Sequence, residues 1–271
     1  MQAHAVGTCI MRLTMADGIA TNVVFEESSY ALAIETSSAQ GCVALGRGSS
    51  VLEASGFSRA RAHAVEFIPT VDALCRTHGV EPRQIEWVFV SAGPGSFTGL
   101  RIGITAARMI ALAVGARVVA IPTLEVIAQN ALDLEHAPDQ LAVVLDAKRK
   151  HVYTATFERR PPPYKGGARG GRYVGLNEPL EAEPLEYLSA QSRACAVMGE
   201  GVHYHRQAIT ASGRLVLPDS LFPPRAQTVY RLGAERAKRG ESESARDVIP
   251  VYIRPPEAEE VWLARQRTSS Q

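Results

Sequence analysis

The sequence predicts an α/β chain of two lobes built on one plan, and three observations carry that prediction. Strand-like apolar runs alternate with helix-period stretches from Tyr30 onward. The run YALAIETSS meets an acid at Glu35, and the run LAVVLDAKRK meets one at Asp146. A further strand follows each acid, with Cys42 and Tyr153 both seven residues on, a faint internal repeat.

Residues 1–29 show no apolar periodicity and read as an extension outside the fold, expected to be disordered. Met11 and Met15 stand within it as internal starts. YALAIETSS and GCVALG then make a hairpin. In RAHAVEFIPTVDALCRTHG, Val65, Ile68, Val71, Leu74 and Cys75 fall at helical spacing, and Gly79 supplies a stop. IEWVFVSAG is a strand entering a glycine loop, LRIGITAARMIALAVG a helix, VVAIP a strand and TLEVIAQNAL a helix. This gives a first lobe over 30–138. The pattern restarts at Leu141, giving a second lobe over 139–271 whose C-terminal segment returns to the first. RRPPPYKGGARGGRY, the 159–173 insert, is too rich in proline and glycine for a regular element and reads as a hairpin tip. A helix (TVYRLGAERAKRG) and VIPVYIRPPEAEEVWLARQ close the chain.

The 271 residues carry 29 basic and 28 acidic side chains, a net charge of +1, so no global field draws the chain to nucleic acid or a membrane. The four cysteines (Cys9, Cys42, Cys75, Cys195) form no CxxC pair, which excludes a zinc ribbon or a disulfide framework. With no apolar run of membrane-spanning length and no signal-like start, a cytoplasmic location is expected.

The loop VSAGPGSFTGLRIG fails three phosphate or catalytic signatures. A P-loop needs Gly-Lys-Ser/Thr, but Leu100 follows Gly99. A dinucleotide fingerprint needs a third glycine where Thr98 stands. A nucleophile elbow needs glycine at Pro94. Two readings remain: an anion held by unpaired amides at a helix start, or glycines that allow tight packing. Packing ranks first, because Gly103, Ala106, Ala107, Ala111 and Gly115 keep one side of the helix small. The histidines form no triad: His63 with Glu66 reads as a cap or partner contact, and His203 and His205 lack a neighbouring acid in sequence. Asp146 with Lys148, Arg149 and Lys150 reads as a charged turn.

AIETSS, RAHAVEFIPTVDAL, SAGPGSFTGLRIGITAARMIALA, AIPTLEVIAQNA, VVLDAKRKHVYTATF and PVYIR occur in order from Ala33 to Arg254. Together they resemble the TsaB (YeaZ) family. The resemblance implies a duplicated two-lobe actin/Hsp70-like (ASKHA, Gcp-like) fold. It also implies a role in making threonylcarbamoyladenosine beside the anticodon of tRNAs that read codons beginning with A. TsaB-like chains act there as non-catalytic, dimerising subunits. Their implied partners are a TsaD-like catalytic paralogue, a TsaE-like ATPase and, through the complex alone, tRNA; a homodimer is the other assembly the helices suit.

In TsaD-like proteins two histidines four apart hold a metal after an Ile-Pro. Here that register falls on Glu125 and Gln129, so neither metal nor cofactor is expected. Phosphate contact, if retained, would fall to Thr36, Ser37, Gly93, Gly95 and Asp146. The docking surface is assigned to His63, Phe67 and Val71 of one helix and to Leu100, Gly103, Ile104, Ala107, Ile110 and Ala111 of the next. The competing readings are a phosphotransferase or hydrolase of this fold and a self-contained homodimeric binding protein.

Overall fold

A computed structural model describes residues 24–58, 62–161 and 171–254. β1 (Tyr30–Glu35) and β2 (Cys42–Arg47) form an antiparallel hairpin in which Glu35 faces Cys42, and β3 (Ser50–Gly56) extends it. α1 (His63–Thr77) leads to β4 (Ile85–Gly93), which returns parallel to β1. α2 (Phe97–Val114) and β5 (Arg117–Pro122) complete a sheet of order β3-β2-β1-β4-β5. β1 and β4 are covered on both faces, which is why they read as unbroken apolar runs. Leu32, Ile34, Val88 and Val90 pack in the cluster of α1 and α2, while Ala31, Ala33, Trp87 and Phe89 pack on the opposite side.

α3 (Thr123–Gln129) carries the chain into the second lobe. There β6 (Gln140–Asp146) and β7 (Val152–Arg160) form a second hairpin, with Asp146 facing Val152. β8 (Arg172–Gly175) and β9 (Leu180–Ala182) both pair with β7. After α4 (Pro184–Ser189), β10 (Ala196–Met198) returns parallel to β6. The order β10-β6-β7-β8 repeats β4-β1-β2-β3 strand for strand. The duplicated two-lobe α/β fold is therefore borne out, and the faint sequence repeat marks its two hairpins. Two short helices, α5 (Gly201–Tyr204) and α6 (Arg206–Ala211), close the second lobe.

α7 (Ala226–Lys238) follows the second lobe in sequence but packs on the first sheet. Its Tyr230 ring meets Phe89 edge-on at 5.5 Å, and its hydroxyl donates to the Gly48 carbonyl at 2.9 Å. The return to the first lobe thus begins with α7 and continues through Glu243, whose N–H donates to Val118 O, and Val251, whose N–H donates to Ala92 O. Where the chain crosses between lobes, the Asn130 amide donates to the carbonyls of Leu221 (3.0 Å) and Pro223 (2.9 Å) and accepts from Thr228 Oγ1 (3.0 Å). One buried side chain therefore pins both crossings.

Two boundaries differ from the sequence reading. The segment expected to lie outside the fold is attached by its end: Phe25 is 5% exposed against Trp87 and Phe89, and Glu27 pairs with Lys238 at 2.6 Å. Residues 1–23, with both internal methionines, lie outside the described residues. The 159–173 insert is narrower than its composition implied, since Arg159–Arg160 belong to β7 and Arg172–Tyr173 to β8. Cross-strand pairing overrides local composition at both ends, and residues 162–170 lie outside the described residues.

Candidate functional site

The lobes enclose a cleft with a cavity of about 620 Å³, lined on one wall by Ser37, Gly95, Ser96 and Phe97 and on the other by Asp146, Lys148, Glu200 and Tyr204. A smaller cavity of about 240 Å³ shares Ser37, Leu145 and Glu200 with it and is also lined by Thr123, Ile127 and Phe222. Three of the five phosphate-contact candidates (Ser37, Gly95 and Asp146) meet on the larger cavity, while Thr36 and Gly93 are not among its lining residues.

The glycine loop serves close packing. A Cβ at Gly95 would stand 2.4 Å from Ser37 O, and one at Gly99 would stand 2.0 Å from Thr36 O. The loop after β1 therefore lies directly on the start of α2, and only hydrogen fits between them. The amides that might have held an anion are partly taken. Ser96 N–H donates to Ser37 O at 2.7 Å, and Gly99 N–H donates to the cap oxygen Ser96 Oγ at 3.3 Å.

Glu35 is fully buried, and among the described residues it meets no cation. Its carboxylate accepts from the Ser37 N–H (2.6 Å), from Ser37 Oγ (2.5 Å) and from Ser91 Oγ. Burial pushes its carboxyl up, and the serine hydrogen bonds only partly offset that. Beside it, burial and the same carboxylate push the Cys42 thiol up to about 12, so this cysteine is inert as a nucleophile.

Asp146 has the opposite environment. Burial alone would raise its carboxyl, but hydrogen bonds from Lys148 Nζ (2.5 Å) and His205 Nε2 (3.1 Å) hold it below the ordinary range. The Asp146–Lys148–His205 group escaped sequence reasoning because His205 lies 59 positions away. His203 and His205 also sit on helix and helix junction rather than strand, and they part company: His203 is 3.8 Å from Asp219. His63 bonds Ser38 O at 3.1 Å and meets the Phe57 ring, so it holds the loop after β1.

Glu125 and Gln129, on which the metal-ligand register was expected to fall, are engaged in structural contacts. Glu125 lies 2.6 Å from Arg172 and 2.5 Å from Arg236, and Gln129 exchanges two hydrogen bonds with the Tyr173 backbone (2.8 and 3.0 Å). A carboxylate held by two guanidiniums and an amide zipped to a strand do not fit a metal. Among the described residues no group of three or more His, Cys, Asp or Glu could hold one.

The surface assigned to docking is reversed by the structure. His63, Phe67, Leu100, Gly103, Ile104, Ala107 and Ala111 are buried in the chain's own core, and Val71 and Ile110 are partly buried against it. The outward faces of α1 and α2 carry Val65 (76% exposed), Ile68 (61%), Met109 (63%) and Leu112 (54%) instead. α2 is the one helix among the described residues long and apolar enough to cross a membrane, yet its other face fills the first lobe's core.

Residues 57–161 match the family described as TsaD, tRNA N6-adenosine threonylcarbamoyltransferase. The chain is 28% identical over 239 residues to the tRNA threonylcarbamoyladenosine biosynthesis protein TsaB of Bacillus subtilis (strain 168), covering 87% of this chain and 99% of that one. The TsaB of Escherichia coli (strain K12) is 27% identical over 195 residues, or 72% of this chain and 81% of its own. Among solved structures, YeaZ from Pseudomonas aeruginosa superposes with a TM-score of 0.68 at 25% identity, covering 83% of this chain and 99% of that one. A second crystal structure from the same organism, of a protein with similarity to peptidase YEAZ, gives a TM-score of 0.69 at 26% identity, over 83% of this chain and all of that one. Along nearly the whole length of these relatives, and in its two-lobe fold, the chain is similar to TsaB (YeaZ) proteins.

Proposed function

We propose that the chain is a non-catalytic subunit of the machinery that forms threonylcarbamoyladenosine in tRNA, and that it works by binding and supporting a TsaD-like catalytic paralogue. Involvement in that pathway rests on relatives named for it that cover 87% and 72% of the chain. The observation that carries the non-catalytic part is the pair Glu125 and Gln129. Both stand where the paralogue would hold its metal, and both are spent on structural contacts. The cleft supports the same reading, because its acid Asp146 is paired with Lys148 and hydrogen-bonded to His205 and its loop amides are partly consumed.

The docking face in this proposal is the outer side of α1 and α2, around Val65, Ile68, Met109 and Leu112. Exposed apolar side chains clustered on two adjacent helices are the usual mark of a protein interface. A TsaE-like ATPase joins through the paralogue, tRNA reaches this chain through the assembly, and a homodimer uses the same face when the paralogue is absent. The test is purification of the chain alone and with the paralogue. Alone, it should neither turn over ATP nor modify tRNA; together, the two should co-elute and the modification should require both. ATP turnover by the isolated chain would favour a phosphotransferase or hydrolase instead.

A further inference from the structure

Residues 249–254 run from one lobe to the other beside the large cavity, touching Phe97 and Ala147 of its lining. On the first lobe, Val251 N–H donates to Ala92 O at 2.7 Å. The Tyr252 ring lies 5.2 Å from that of Phe97, and its hydroxyl accepts from Arg101 Nε at 3.3 Å. On the second lobe, Arg254 grips the Glu181 carboxylate with Nε (2.9 Å) and with a terminal nitrogen, while its other terminal nitrogen donates to Ala147 O at 3.0 Å. Phe97 and Ala147 are both cavity-lining residues, one on each wall. The strap therefore holds the two walls of one cavity.

We infer that this strap is a latch that sets the opening of the cleft, with the Arg254–Glu181 pair as its catch. An exposed ion pair contributes little, but this one is forked, mostly shielded from solvent and backed by a carbonyl. A second tie acts further along the same strand edge, where Arg172 of β8 and Arg236 of α7 share Glu125. Glu181 pairs in register with Tyr153 and Arg172 with Arg160, so along β7 the ties lie roughly 23 Å apart at about 3.3 Å per residue. Anchored at the Glu125 tie, the second lobe swings at the other end when Arg254 is released. The inference stands whether or not the chain serves a TsaD-like partner.

Hydrogen exchange on the full chain tests it, with wild type, Arg254→Met, Glu181→Gln and the double variant. Each single variant should speed exchange in both cavity walls, residues 95–101 and 146–153, by about tenfold or more. The core amides of β1 and β4 should be unaffected, and the double variant should add nothing further. Unchanged exchange in the walls, or faster exchange confined to 249–254, would overturn the latch. Should Arg254→Met lose protection throughout, Glu181→Gln decides, since it keeps the shape and removes only the charge; global loss there too would make the pair a folding contact and sink the proposal.

Discussion

Glu35 ends β1 as a buried acid. An acid at a strand end beside a glycine loop looks like cleft chemistry, yet it is sealed in the core with serine partners. One of those serines, Ser91, comes from 56 positions away, so the sequence held no local sign of burial. Burial holds its folded-state carboxyl above the ordinary 4.5, so the folded protein favours the neutral form. The stability this contributes is fully present below that ordinary value and is lost as pH rises through the raised one. Glu35→Gln should therefore gain on wild type as pH increases from about 4 to about 8, read as the difference in Tm. A difference that does not change with pH would contradict the assignment. The glycine loop was better legible, because packing ranked first of the two readings that survived the motif comparison. Its strength is measurable: Gly99→Ala drives a methyl against Thr36 O and should cost about 3 kcal/mol, whereas Gly115→Ala, with open space around it, should cost about 1 kcal/mol for its left-handed backbone. Urea melts of the two variants compare them, and equal losses would refute the close approach.

At the scale of elements, helical periodicity found α1 and α2 but misjudged which way they face. α2 is apolar nearly all round, so its sequence carries no clear stripe, and its small residues suggested contact with a partner helix. They serve a nearer purpose, letting α2 lie on β1 and its loop, with Gly103 against Thr36. In α1 the stripe included Val65 and Ile68, which the structure leaves exposed. Ala107→Arg should consequently unfold the chain, since it buries an unpaired guanidinium at a loss of about 3 kcal/mol or more. Ile68→Asp and Met109→Asp should stay folded and weaken association by about tenfold or more each. Circular dichroism with size-exclusion chromatography separates these outcomes, and a folded Ala107→Arg would show that the face is not core. The short stretch before β1 also belongs to the first lobe. Phe25→Ala should cost about 3 kcal/mol by emptying the site against Trp87 and Phe89. No loss on thermal denaturation would return residues 24–29 to the exterior.

For the whole molecule, the duplication was legible from two acids and two hairpins, because a strand ending in a carboxylate followed by a second strand is a local pattern. What tied the lobes together was not. α7 returns to the first sheet, Asn130 pins both crossings, and Arg254 reaches Glu181 from 73 positions away. Such contacts depend on which surfaces the folded chain brings together, and no spacing rule encodes them. The same holds for Glu125 and Gln129, whose contacts with Arg172, Arg236 and the Tyr173 backbone no spacing in the sequence encodes. The central claim is that this chain supports modification through the outer face of α1 and α2 without catalysing it. The most direct test is the threonylcarbamoyladenosine content of tRNA, measured by nucleoside mass spectrometry in source cells depleted of the chain and re-supplied with variants. Glu125→Gln and Asp146→Asn should restore the modification as wild type does, whereas Ile68→Asp combined with Met109→Asp should leave it depleted. Full restoration by the surface variant, or failure of a folded Asp146→Asn, would contradict the account.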